Sequence, residues 1–288
     1  MKLSLKILMM SLSWCGLTLS SSSYAQSSPK LVVLSPPVVE MLYEIGAGDN
    51  IVGTVNYADY PEAANHIPRI GHHNYINYEA LMLLQPDAII VNSTSTAAPM
   101  LARLKELGFT LIDASVNKLE QIPARMRELG KLTGHNTQAK ASADKFSATL
   151  VHLRQTYQDL PKIDLFYQVW PNPLTTASSN WMNEIFSGCG ANNVFANNIS
   201  DYPQVSLEQV IATYPDIIIR PDHHGTQVQN AVNWLDWPEI PAVANGQIYP
   251  IKGDIVHRTG PRVLQGMLKI CQQVAQARAQ KLQQQAHD

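Results

Sequence analysis

No Gly-x-x-x-x-Gly-Lys phosphate loop, Gly-x-Gly-x-x-Gly fingerprint, His-Glu-x-x-His pair or Gly-x-Ser-x-Gly elbow occurs in this 288-residue chain. Each of those motifs places defined groups around a phosphate, a zinc ion or an acyl carbon, so the sequence carries no strong enzymatic signal and a non-enzyme is expected. Clusters of lysine and arginine are missing too. Phosphate binding needs them concentrated, so a nucleic-acid partner is set aside. Charge is sparse, at 15% of residues and a net −2, against 45% hydrophobic residues, the balance of a globular chain. Beyond residue 25 no apolar run approaches the roughly 20 residues of a membrane span.

The first 25 residues read as a signal peptide. Lys2 and Lys6 form its basic end, residues 7–19 its apolar core and Ser23-Tyr24-Ala25 its cleavage site. A membrane anchor would need a longer run, unbroken by Ser. A lipoprotein box at Leu12-Ser13-Trp14-Cys15 would need a small residue where Trp14 stands. Without Lys2 and Lys6, 19 of the 21 basic residues remain against 23 acidic ones, a net −4. Cysteine is scarce: Cys15 leaves with the leader, and Cys189 and Cys271 remain. In an oxidising compartment two cysteines most simply form one bridge. Two inert buried thiols stay open as an alternative, as does a metal pair, although the close spacing usual for metal is absent.

What the chain does contain is a repeat. Residues 76–90 read Ile-Asn-Tyr-Glu-Ala-Leu-Met-Leu-Leu-Gln-Pro-Asp-Ala-Ile-Ile. They return at a constant offset of 129 as Val-Ser-Leu-Glu-Gln-Val-Ile-Ala-Thr-Tyr-Pro-Asp-Ile-Ile-Ile. In both copies a short polar residue (Asn77, Ser206) suits an N-cap and a Glu (Glu79, Glu208) suits the positive first turn of a helix. Pro-Asp then stops the helix and a buried β-branched strand begins. The spacing is too wide for a solenoid and implies two similar lobes.

Around the repeat, short apolar runs alternate with helical stretches. Strands are expected at 30–35, 51–55, 110–112, 163–169 and 248–250, with irregular chain at 62–75. Helices are expected at 38–45, 98–107, 119–133, 183–189, 228–235 and 261–284, the last fraying beyond Ala279. Absence of hairpin signals argues for parallel sheets with both faces covered. Residues 136–160 hold about 20 positions without Gly or Pro, roughly 30 Å of helix. They form either a covering helix or, given their place midway between the repeat copies, a strut between lobes. The expected fold class is α/β: two similar parallel-sheet lobes, 26–135 and 161–288, joined by the single long helix 136–160, with a ligand cleft between them.

Open α/β sheets bind ligands at the carboxyl ends of their strands. The loops there carry Tyr57, Tyr60, His73, Tyr75, Asn92, Trp170, Trp181, Tyr202 and residues 254–258, enough to line a cleft for a bulky, partly apolar small molecule. Each aromatic alone is equally well read as cover for the core. The doublets His72-His73 and His223-His224 invite a metal, but adjacent residues in a strand point to opposite faces, and no dedicated metal site is expected. Glu79 and Glu208 have two readings, complements of their helix dipoles or matched contacts for a partner with two basic sockets.

Over its mature length the chain resembles the periplasmic substrate-binding proteins of ABC importers, in the class with a rigid helical backbone that delivers cobalamin, ferric siderophores or haem. The cobalamin-binding members are the most similar. The resemblance is carried by Leu34-Ser35-Pro36, Tyr57-Ala58-Asp59-Tyr60-Pro61, Asn77-Tyr78-Glu79 with Pro86-Asp87, the run Pro203 to Val210, and Asp254 with Arg258 and Pro261-Arg262. It implies a periplasmic monomer, without a cofactor of its own, that captures cobalamin between its lobes; a ferric siderophore or haem is the alternative. It implies ligand contacts from Pro36, Tyr57, His73, Asn92, Trp170, Tyr202, Asp254, Ile255, Val256, His257 and Arg258. It implies docking of Glu79 and Glu208 on a dimeric inner-membrane permease, and a Cys189–Cys271 bridge. The sequence departs from the cobalamin-binding pattern where tryptophans are replaced by His73 and Asn92, and where Ile255-Val256 replaces an aromatic pair.

Overall fold

The computed structural model describes residues 28–72, 74–178, 180–222, 229 and 231–287. The expected leader, with Cys15, lies outside them, as do His73, His223 and His224.

The amino-terminal sheet is built from four parallel strands, β1 (Leu31–Val33), β2 (Ile51–Thr54), β5 (Ala88–Val91) and β6 (Leu111–Asp113), in the order β2-β1-β5-β6. A two-residue ribbon, β3 (Gly71–His72) and β4 (Tyr75–Ile76), stands apart from it. The carboxy-terminal sheet runs β11 (Ile248–Ile251), β10 (Ile217–Pro221), β7 (Ile163–Pro171). On its far edge β7 pairs in parallel with β9 (Ala191–Asn193) and then antiparallel with β8 (Leu174–Thr176). The helices are α1 (Pro36–Glu44), α2 (Tyr78–Leu84), α3 (Ala98–Glu106), α4 (Gln121–Thr133), α5 (Asn136–Tyr157), α6 (Asn180–Gly188), α7 (Leu207–Ala212), α8 (Pro241–Ala244) and α9 (Val263–Gln285). No described helix is long and apolar enough to cross a membrane.

The two copies of the repeat fold alike, with an N-cap at the same position of each. Asn77 caps α2 by accepting from the Ala80 N–H at 3.0 Å, and Ser206 caps α7 in a reciprocal box with Gln209. Both helices end on a non-glycine residue in the left-handed region, Gln85 at φ 46 and Tyr214 at φ 45. The Pro-Asp that follows has a role beyond stopping the helix. The Asp87 carboxylate accepts from the Lys30 N–H at 2.7 Å and that of Asp216 from the Asp164 N–H at 2.9 Å, so each aspartate pins the start of its lobe's first strand.

Side chains alternate across a strand, and here the alternation divides the molecule. Leu31, Val33 and Ile90 face inward, with Ile217 and Ile219 from the second sheet, onto one apolar core. That core runs through Phe146, Leu150 and Leu153 of α5 to Phe186, Met267 and Ile270. Val32 and Ile89 face outward onto Leu81 and Leu104; Ile218 faces outward onto Val210, Trp234 and Ile240. Helix α5, 22 residues and so about 33 Å long, lays one face, through Phe146, Leu150 and Leu153, on that core, and most of its other residues are exposed.

Polar contacts reinforce this junction. Glu40 of α1, with its side chain 1% exposed, accepts from Arg262 Nε at 2.9 Å and Nη2 at 2.6 Å and from Arg258 Nη1 at 3.1 Å. Arg258 also reaches Asp59 at 2.8 Å and Asp254 at 2.9 Å, while Arg262 stacks 3.8 Å from the centre of the Tyr60 ring. On the far side Arg154 of α5 binds Glu120 and Glu184, and Glu184 accepts from the Leu119 N–H at 2.9 Å. Cys189 and Cys271 form the expected disulfide, closing a loop of 82 residues. A loop of that length contributes about 4–5 kcal/mol by restricting the unfolded chain.

Four local expectations are corrected. Hairpins exist: β7 continues to Pro171 and folds back through Asn172-Pro173, and at Gly71 (φ 150) a Cβ would sit 2.0 Å from the Tyr75 carbonyl oxygen, so only glycine lets β3 meet β4. Residues 62–75 accordingly hold that ribbon and a one-turn helix, Glu62–His66. The helix expected at 228–235 is absent among the described residues there, which hold only a turn at Trp234–Asp236. Burial of Trp234 and its 2.7 Å bond to Gln168 outweigh local propensity. The end of α9 does not fray, because Gln280, Lys281 and Gln284 bind Asn245 and Asp216.

Removing one partner of a buried ion pair leaves an uncompensated charge. Glu40→Ala is expected to destabilise the protein by about 3–5 kcal/mol in urea unfolding; a loss below about 1 kcal/mol would show that the cluster does not hold the lobes.

Candidate functional site

The carboxyl ends of the first sheet's strands open onto a cavity of about 440 Å³. Ser35 and Pro36 follow β1, Asn56 and Tyr57 follow β2, the Asn92 loop follows β5 and Asn117 lies beyond β6. The second lobe supplies Trp181, Asp201, Tyr202 and the His257–Thr259 segment. This is where an open α/β sheet receives a ligand.

Several residues are set by local constraint. Tyr57 sits at φ 67, an uncommon conformation for a bulky residue, and is 67% exposed at the rim. Tyr202, 45% exposed, faces the cavity from the other lobe. Behind it Tyr167 is buried, and burial pushes its hydroxyl well above the ordinary tyrosine range. It therefore stays protonated, and its oxygen lies 2.9 Å from His257 Nε2.

The Asn92 loop is held by a carboxylate. Asp113 accepts from Ser93 N at 3.2 Å, Ser93 Oγ at 2.6 Å, Ser115 N at 3.0 Å and Ser115 Oγ at 2.5 Å. Burial would raise its pKa, but the four donors outweigh that and hold it at about 2. Arg258 shows the same balance with the sign of charge reversed: burial works against its charge, and Asp59, Asp254 and Glu40 outweigh burial and keep it protonated.

The structure brings Pro36, Tyr57, Asn92, Tyr202, His257 and Arg258 together on the cavity wall. His73 lies outside the described residues, and its neighbour His72 lines the cavity. Four expected contacts stand off it. Trp170 turns its indole N–H back to the Asn172 carbonyl at 3.0 Å, and Asp254 binds Arg258. Val256 is fully buried in the shared core, against which Ile255 packs. Sequence reasoning missed Ser35, Asn56, Thr94 and Asn117, small polar residues whose only signal is their place after a strand. Among the described residues no three His, Cys, Asp or Glu side chains are grouped to hold a metal ion.

Two parallel-sheet lobes on a shared core, with a cleft at their strand ends, agree with what the comparisons return. Residues 31–255 match the sequence profile of the periplasmic binding proteins. The chain belongs to that family. Among its relatives, the vitamin B12-binding protein of Vibrio cholerae serotype O1 is 33% identical over 84% of this chain and 87% of its own. That of Vibrio vulnificus is 32% identical over 93% of this chain and 98% of its own. The crystal structure of the periplasmic vitamin B12 binding protein BtuF of Vibrio cholerae superposes with a TM-score of 0.80 at 32% identity, over 87% of this chain and 98% of BtuF. The periplasmic heme-binding protein RhuT of Roseiflexus, at TM-score 0.76 and 20% identity over 87% and 99%, shares the fold. Family membership makes the protein a binding component of transport.

Because the folded pKa of Asp113 is depressed, its stabilising contribution is present above the ordinary aspartate range and lost as pH falls through about 2. Wild type should therefore exceed Asp113→Asn in stability at neutral pH, and the gap should close as pH falls from 3.8 toward about 2. Parallel acid-unfolding curves with a constant gap would contradict this.

Proposed function

We propose that this chain captures cobalamin in the periplasm, after loss of its signal peptide, and delivers it as a monomer to a dimeric ABC permease in the inner membrane. The observation that carries the reading is the chemistry of the cleft wall. Asn56, Asn92, Thr94, Ser95, Thr96 and Asn117 offer neutral donors and acceptors, and Arg258, the one Lys or Arg among the described lining residues, is bound to three carboxylates. Such a wall complements a corrinoid rimmed by neutral carboxamides better than the carboxylates of haem or the charge of a ferric siderophore. The kinship with vitamin B12-binding proteins over most of the chain supports the same choice. The haem or siderophore reading has in its favour His72 and His257, two imidazoles on the cleft wall.

The work is binding rather than catalysis. Glu79 and Glu208 stand exposed in the first turns of equivalent helices, one on each lobe, and supply two matched negative contacts for the two halves of a permease. Glu208 is held below the usual glutamate range by the N–H groups at its helix start and by Ser206, and so is charged at periplasmic pH.

Titration of the purified protein with cyanocobalamin, haemin and a ferric siderophore tests the ligand: saturable binding of cyanocobalamin alone is expected, and binding of haemin alone would replace this reading. Replacing both glutamates with Ala should lower transport in reconstituted vesicles roughly tenfold, the worth of two exposed charge pairs, with ligand affinity unchanged. Lost affinity would sink the docking role.

A further inference from the structure

Asn92 follows β5 and lines the cleft. Its side-chain oxygen accepts from the Thr94 backbone N–H at 3.1 Å and from Thr94 Oγ1 at 2.6 Å, and lies 3.1 Å from Ser115 Oγ. A backbone N–H can only donate. The Thr94 contact therefore identifies which terminal atom of the amide is oxygen, a point that otherwise rests on convention. With the oxygen turned into the loop, the amide nitrogen is left on the opposite side of the same planar group. It has no hydrogen-bond partner among the described residues.

The grip on that oxygen is itself fixed. Thr94 supplies both donors to that oxygen, and Asp113 takes the N–H and hydroxyl protons of Ser93, the residue next to Asn92, as well as those of Ser115, so the Ser115 oxygen only packs beside the Asn92 side chain. Asp113 thus has its acceptor sites filled by four donors from the loop, which leaves it to anchor the loop while Asn92 meets the ligand. A side chain whose rotamer is locked by its neighbours loses little entropy when it binds, which makes such a donor effective.

We propose that Asn92 is a specificity-determining donor of the cleft: the two Thr94 bonds to its oxygen, on a loop that Asp113 anchors through Ser93, hold its N–H pair toward a carbonyl oxygen on the ligand's periphery. This rests on the corrinoid reading, in which peripheral carboxamides supply that oxygen. Asn92 is the group that contacts ligand; Thr94 and Asp113 are positioning residues that act through it. A ligand presenting only apolar edge or further donors at this point leaves the pair unsatisfied and is rejected.

Calorimetric titration with cyanocobalamin of wild type, Asn92→Asp, Asn92→Leu, Thr94→Val and the Asn92→Leu/Thr94→Val double variant tests this. Asn92→Asp keeps an acceptor for Thr94 and the shape of the side chain but has no N–H. It should retain the wild-type melting temperature and bind about tenfold more weakly, as should Asn92→Leu. Thr94→Val, which keeps the side-chain shape and loses the hydroxyl donor, should weaken binding in the wild-type background and have no further effect on Asn92→Leu, because its influence passes through the lost donor. Both Asn92 variants binding within about twofold of wild type would overturn the proposal, as would a Thr94→Val effect of equal size in both backgrounds. If wild type itself fails to bind cyanocobalamin, the corrinoid reading falls and takes this assignment with it, an outcome told apart by the wild-type titration alone.

Discussion

Glu40 belongs to α1 of the first lobe, yet among the described residues its side-chain contacts are with Arg258 and Arg262 of the second. An ionised carboxylate removed from water is costly unless its partners are close and its lone pairs are filled, and here two guanidinium groups do both. The rest of the junction follows from that requirement. Arg258 must stand near the cleft to reach Glu40, and Asp59 and Asp254 then balance its remaining charge. Arg262 must lie flat, and Tyr60 gives it a ring to lie on. An apolar core that crosses the same junction leaves the lobes no plane along which to separate without exposing Phe146, Leu150 and Leu153.

That arrangement decides what the cleft can recognise. The one guanidinium among the described lining residues is occupied by the junction, so on the proposed reading discrimination falls to the other wall groups, Asp201 and polar residues on loops anchored by their own networks. The Asn92 loop is one such case, tied to Asp113; His257, backed by the buried Tyr167, is another. In both, a polar group behind the cavity orients the group that faces it.

The repeat made the architecture legible. Matching N-caps, first-turn acids and Pro-Asp stops specify local structure through contacts within a few residues, and each was found where the pattern placed it. What the sequence concealed depends on distant partners. Glu40 stands in the middle of α1 with no local partner to mark it, and only the approach of Arg258 and Arg262 reveals an interlobe contact. Trp234 sits in a segment of helical composition but is drawn into the core by Gln168 and Phe166. The cavity was legible as a set of strand-end loops, not as a set of side chains. Trp170 lies in the expected region yet turns away, and in the two-residue strand β3 a change of one position separates His72 from His73.

The fused core also bears on how fast a ligand can enter. Lobes that swing as rigid bodies gate their sites on the microsecond-to-millisecond scale. Here the roots of both sheets share one packed interior, and the rim residues Tyr57 and Tyr202 are exposed. On the proposed reading such a shared interior favours entry by adjustment of the rim, the class of loop motion that runs in nanoseconds to microseconds, over a swing of whole lobes.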